Sequence, residues 1–157
     1  MKARAGFTLI ELLVAMTIVI LLSGTALATF LNYQQRRQAQ EDAANVADRL
    51  RTVQIKATAV EIPAGCSSVT NYTVTFEATG LAVAATCPGV GSVAVAGLAL
   101  TLTNSVFQSS PFTITFDSRT VSASPRTINI CGNSNLYQVT VNEAANVSRP
   151  VFVAGGC

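Results

Sequence analysis

From Leu12 to Gln35 the chain carries no charged residue, and Phe7 to Leu31 is apolar apart from Thr8, Glu11, Thr17, Ser23, Gly24, Thr25 and Thr29. Water is a poor solvent for such a run, so its burial constrains everything downstream. As a helix, about 25 residues measure roughly 37 Å, enough to cross a hydrocarbon core of about 30 Å. The run therefore predicts a membrane-spanning helix. Lys2 and Arg4 precede it with no acid nearby, which places the N-terminus on the cytoplasmic side and the remainder beyond the membrane.

Glu11 is the residue this reading must explain. A carboxylate within an apolar span costs about 2.5–3.5 kcal/mol at the helix centre on insertion scales. A secretory signal peptide is one reading, since Ala26-Leu27-Ala28 offers a small-residue cleavage site. A simple signal anchor is another, and neither accounts for Glu11. An ionisable group at membrane depth is read as functional, with a partner.

The stretch Gly6-Phe7-Thr8-Leu9-Ile10-Glu11-Leu12-Leu13-Val14-Ala15-Met16 resembles the class III signal of type IV pilins and type II secretion pseudopilins. The resemblance implies that a prepilin peptidase/methyltransferase cuts between Gly6 and Phe7 and methylates the new terminus at Phe7. It also implies that Glu11 meets the terminal amine of a neighbouring subunit during assembly. Opposite charges in a low dielectric offset each other's desolvation, and only the correct axial stagger brings them together. Many type IV pilins carry a proline in this half of the helix; residues 12–62 here have none.

The helical period continues past the apolar run. Ala39, Ala43, Val46, Leu50, Val53, Ala57 and Val60 form one stripe, with charged residues on the other faces. Pro63 and Gly65 are the first stop signals, so one helix is predicted over 7–61, about 55 residues and 80 Å. The stripe also permits a two-stranded coiled coil. Its alanines favour close packing on a sheet instead. The predicted organisation is a leader over 1–6, a transmembrane and assembly half over 7–35, an amphipathic half over 36–62, and a β-rich head over 63–157.

After Pro63 the pattern alternates. Residues 72–76, 112–116, 128–130 and 137–141 read as in/out strands, with weaker candidates at 81–86, 92–96, 98–103 and 150–154. Turn residues between them predict an antiparallel sheet with one face on the helix. The fold class is α+β, a long N-terminal helix packed by its second half on a pilin-like head. Cys66, Cys87, Cys131 and Cys157 are widely spaced, and an even count in an exported domain reads as two disulfides. Three connectivities are open; the local pairs Cys66–Cys87 and Cys131–Cys157 are preferred. A cystine closing the C-terminal region resembles the arrangement in many type IV pilins.

Composition narrows the function. The chain has no His and no Trp, and only 11% of its residues are charged. That removes the commonest general base and metal ligand, so no enzyme, cofactor or metal site is expected. Ten basic residues face eight acids, and Lys2 and Arg4 supply the whole excess.

A looser resemblance, to the GspH and FimT minor pilin types, runs through residues 47–57, Ile114-Thr-Phe116-Asp-Ser-Arg119, Thr127-Ile-Asn-Ile130 and Val139-Thr-Val141-Asn142. Glycines usual in that family are replaced at Thr120 or Asn146, and its Gly-Arg ending is Ser148-Arg149 here. Some FimT members capture DNA, which makes Arg119, Arg126 and Arg149 candidate phosphate contacts. The leading expectation is a minor, non-catalytic filament subunit of the bacterial inner membrane. It would be single-pass, with the head periplasmic or extracellular, and would meet the peptidase, other subunits and an inner-membrane assembly platform. The alternatives are a DNA-binding minor pilin and a signal-anchored adhesive domain.

Overall fold

A computed structural model describes residues 8–153 and 156–157, with the backbone alone at 24–26 and 28. The chain divides into two compact units, Met1–Gln35 and Arg36–Cys157. One helix, α1 (Leu9–Thr58), runs through both. It starts at Thr8, whose hydroxyl accepts the Glu11 amide at 3.3 Å, while the Leu12 amide donates to the Thr8 carbonyl at 3.2 Å. Thr8 and Glu11 stand in the Thr-x-x-Glu spacing of a capping box. Among the described residues no helix is long and apolar enough to cross a membrane. The apolar stretch whose side chains are described without a break, Leu9–Ser23, covers only about 22 Å.

The helix stops before the predicted 61. The Glu61 amide donates to the Lys56 carbonyl at 3.0 Å and the Val60 amide to that of Ala57 at 3.1 Å. This is the paired closure of a Schellman motif, with Val60 at φ 49° in the position glycine usually takes. The reversal turns Val60 outward, to 47% exposure, so it leaves the buried stripe to which the helical period assigned it.

The strands are β1 (Asn71–Phe76), β2 (Gly80–Cys87), β3 (Gly91–Ala94), β4 (Leu100–Thr101), β5 (Val106–Phe107), β6 (Phe112–Asp117), β7 (Ser122–Ala123), β8 (Arg126–Gly132), β9 (Asn135–Val141) and β10 (Val151–Val153). They form two sheets rather than the single one expected, all pairs antiparallel. One is ordered β3-β2-β1-β6-β7 with β4 also on β2, and the other β10-β9-β8-β5. The two-residue strands β5 and β7 are too short for alternation to reveal. The weak candidate at 98–103 pairs only over Leu100–Thr101, and of the candidate at 150–154 the last residue lies outside the described ones.

One core joins the second half of α1 to both sheets. Ala39, Ala43, Val46, Ala47, Leu50, Val53 and Ala57 are buried along the helix, against Tyr72, Val74 and Phe76 of one sheet and Ile128, Ile130 and Val139 of the other. The stripe is thus covered within the chain, not by a coiled-coil partner. Phe76 bridges the sheets, stacked on Phe112 with centroids 4.5 Å apart and edge-on to Phe107 at 5.0 Å. Each fully buried side chain of the size of Leu50 or Ile130 contributes about 1.5–3 kcal/mol. Helix and sheet approach closely at Gly132, where a Cβ would stand 2.8 Å from that of Ala39.

Arginines fasten the rim. Arg49 donates to the Gly97 carbonyl at 3.0 Å, and Arg51 to the Ser148 carbonyl at 3.0 Å and to Asp48 at 2.9 Å. Arg36 lies 4.4 Å over the Phe152 ring, which meets Tyr137 edge-on. Disulfides join Cys66 to Cys87 and Cys131 to Cys157, the second tying the last residue to β8.

Candidate functional site

The residues that set the first unit apart are its uncovered apolar ones. Leu9 is 82% exposed, Ile10 70% and Leu21 73%, and the other large apolar side chains described as far as Leu31 are all near half or above. A helix apolar on every face is stable only when lipid or other protein encloses it. Glu11, Leu12, Ala15, Met16, Val19 and Ile20 line a groove of about 540 Å³ along one helix face, with almost no polar surface. Their spacing of one and four residues makes it a single stripe, and Glu11 is its one charge.

Glu11 gains local support from its place in the first turn. A carboxylate there faces the positive end of the helix dipole, worth about 0.3–1 kcal/mol. The capping interaction uses its backbone amide rather than its carboxylate. The Thr-x-x-Glu spacing was present in the sequence, and of the two bonds of a capping box the structure shows the one from the Glu11 amide to Thr8. Gly6 and Phe7, with Lys2 and Arg4, lie outside the described residues.

The three head arginines are only partly brought together. Arg119 sits in the β6–β7 turn, and its amide and that of Thr120 donate to the Asp117 carboxylate at 2.7 and 2.9 Å. The amides of Thr120 and Arg119 hold the Asp117 pKa below the ordinary carboxylate value. Arg126 opens β8 and stacks 4.2 Å from the Phe112 ring centroid, at the opposite end of β6. Five residues of strand separate Phe112 from Asp117, about 17 Å, so Arg119 and Arg126 do not share a phosphate. Arg149 is closer to Arg126: Arg126 pairs with Val141, and Val141 bridges Val147, two strand spacings or about 10 Å across. A shallow cleft of about 690 Å³ beside Arg126 is lined also by Glu143, which offsets the charge an anion would seek. Arg51, bound to Ser148 next to Arg149, is a basic neighbour that sequence spacing did not point to.

No curated protein matches the chain, and no solved structure does either. Residues 1–27 match the family model of the prokaryotic N-terminal methylation motif, the signal borne by type IV pilin-like prepilins.

Proposed function

We propose that this chain is a structural subunit of a pilin-like filament, either a type IV pilus or a type II secretion pseudopilus, and a minor one of the GspH or FimT type. The methylation motif over residues 1–27 carries the reading. A prepilin peptidase/methyltransferase cuts between Gly6 and Phe7 and methylates Phe7. The subunit waits in the inner membrane as a single-pass protein, its N-terminus cytoplasmic and its head outside, and enters the filament through an assembly platform. The chain performs no catalysis of its own; Gly6 and Phe7 are substrate positions.

The uncovered apolar helix supports this reading, because a filament core encloses such a surface as lipid does. Glu11 supplies register: its carboxylate accepts the Phe7 amine of a neighbour, and any other stagger leaves both charges unpaired in apolar surroundings. Mass spectrometry of the mature protein tests the processing; a chain beginning at methylated Phe7 is expected, and one beginning at Thr29 refutes the reading. Glu11→Gln keeps the backbone cap and removes the charge. It is expected to be cut normally yet excluded from filaments, and normal incorporation would refute the role assigned to Glu11.

A further inference from the structure

The uncharged run of α1 ends at Gln35, and Arg36 and Arg37 follow it at once. Where such a run spans a bilayer, the first arginines beyond it stand at the level of the phosphates, because a guanidinium leaves hydrocarbon for the nearest polar layer. Arg36 holds part of the head at the same level. Its Cζ lies 4.4 Å from the centroid of the Phe152 ring, so the middle of β10 shares the depth of Arg36. Phe152 is 41% exposed and its neighbour Val151 59%. β10 ends its sheet, and among the described residues no further strand lies along its outer side. An apolar sheet edge is a hazard in water unless it is charged or covered, and Val151–Val153 carries no charge.

The side chains around β10 have the chemistry of a bilayer interface. A ring contact satisfies few of the five guanidinium N–H donors, and among the described residues Arg36 has no salt bridge. The planar fork of donors that remains matches a phosphate. An aromatic ring beside a cation settles between acyl chains and headgroups, the ring toward the first and the cation toward the second. Acids, which phosphates repel, stand away from this edge. Leu136, Tyr137 and Gln138, which pair with β10, are uncharged. Glu41 and Asp42 lie five and six residues beyond Arg36, about 7.5–9 Å farther from the apolar run. Glu77 belongs to the other sheet, in the β1–β2 turn.

We infer that the Val151–Phe152 edge and Arg36 are seated in the phospholipid headgroup layer while the subunit waits in the membrane. Phe152 and Val151 meet the glycerol and upper acyl region, and Arg36 binds lipid phosphate. The contact fixes the depth of the head until the subunit is drawn out of the bilayer. This seating rests on the membrane-anchored reading of the chain and adds a second attachment to it.

The chain has no tryptophan, so a single one introduced by substitution reports its own surroundings. Phe152→Trp, Val90→Trp and Val19→Trp are made separately in the full-length chain. Each protein is reconstituted at low density in phosphatidylethanolamine–phosphatidylglycerol vesicles whose acyl chains carry bromine, a contact quencher. Val19→Trp reports the anchor and should be quenched. Phe152→Trp should be quenched most by bromine placed high on the chain. Val90→Trp should not be quenched: Val90 is 59% exposed in the β2–β3 turn, at the end of the sheet that Tyr72 ties to the Glu61 carbonyl, beyond about 33 Å of helix from Arg36. Arg36→Gln should lower the ratio of seated to free Phe152→Trp about fivefold, the effect of one cation at an anionic surface, and Arg36→Lys should restore it. Phe152→Trp as unquenched as Val90→Trp, beside a quenched Val19→Trp, overturns the seating and leaves the anchor standing. An unquenched Val19→Trp overturns the anchor itself. Phe152→Trp emission shielded from water yet untouched by bromine assigns the edge to a protein neighbour and overturns the seating, and undiminished quenching in Arg36→Gln overturns the phosphate contact.

Discussion

Gly132→Ala tests how closely α1 is seated on the sheets. A Cβ built at Gly132 falls 2.8 Å from the Ala39 Cβ, 2.5 Å from Ser105 Oγ and 3.3 Å from the Asn104 carbonyl oxygen. The Ala39 Cβ is fixed to the helix backbone and cannot swing aside. Ser105 is only 4% exposed, and its hydroxyl has no hydrogen-bond partner, so it has little room to rotate into. The helix must lift by several tenths of an ångström, which loosens the stripe from Ala39 to Val46. Overpacking of this kind costs about 1–3 kcal/mol. Denaturant titration of the full-length protein in detergent, followed by circular dichroism, measures it. Ala39→Gly alone costs about 1 kcal/mol of helix propensity. Combined with Gly132→Ala it removes one of the colliding methyls, so the double variant should be at least about 1 kcal/mol better than the sum of the singles. A Gly132→Ala cost below about 0.5 kcal/mol, or strict additivity, would refute the close approach.

Opening the C-terminal disulfide with Cys131→Ala and Cys157→Ala should cost about 3.5 kcal/mol, from the 26-residue separation in the chain-entropy treatment. Denaturant midpoints should fall accordingly, and β10 amides should exchange faster; unchanged exchange at Phe152 would count against the tie. Tyr72→Phe removes the hydrogen bond to the Glu61 carbonyl and should cost about 1 kcal/mol in the same titration. Burial, then the Glu61 charge, pushes the Tyr72 pKa above 10.0. The folded state therefore favours the neutral phenol. Its contribution is complete below pH 10 and is lost as pH rises through the higher native value, so the variant should show a flatter alkaline loss of stability. For Asp117 the sign is opposite, since the turn amides lower its pKa below 3.8. Its contribution is present above that value and fades as pH falls through the native one; Asp117→Asn should remove this acid dependence, and an unchanged profile would refute it.

Periodicity made much of the fold legible and missed what periodicity cannot encode. The amphipathic stripe and the strands near 72–76, 112–116 and 137–141 were readable because alternating burial over five or more residues leaves a pattern. The division into two sheets was not, because alternation marks a strand without naming its partner, and β6 pairs with β1 while β8 pairs with β9. The pairing of cysteines was open among three connectivities, since strand order decides which ends meet. Arg119 and Arg126 are seven residues apart in sequence, yet β6 holds them at opposite ends. Glu11 was legible as an exception to hydropathy, while the capping of its backbone amide follows from Thr8 three residues earlier.

Val60 shows why the remainder was hidden. Its spacing from Val53 and Ala57 continues the stripe, and hydropathy alone assigns it to the core. The Schellman closure at Lys56–Glu61 reverses the chain one residue too soon for that. A left-handed residue carries its side chain away from the face the helix would have given it, at a cost of about 1–2 kcal/mol when it is not glycine. The same event occurs at Val121, where a polar turn of Asp117, Ser118, Arg119 and Thr120 ends in a valine facing water. At Val60 the local backbone overrules the pattern, and at both valines the result is an apolar side chain exposed to water. Among the described residues the other non-glycine positions with positive φ are serine, asparagine and alanine, which bear that conformation at less cost than a β-branched valine.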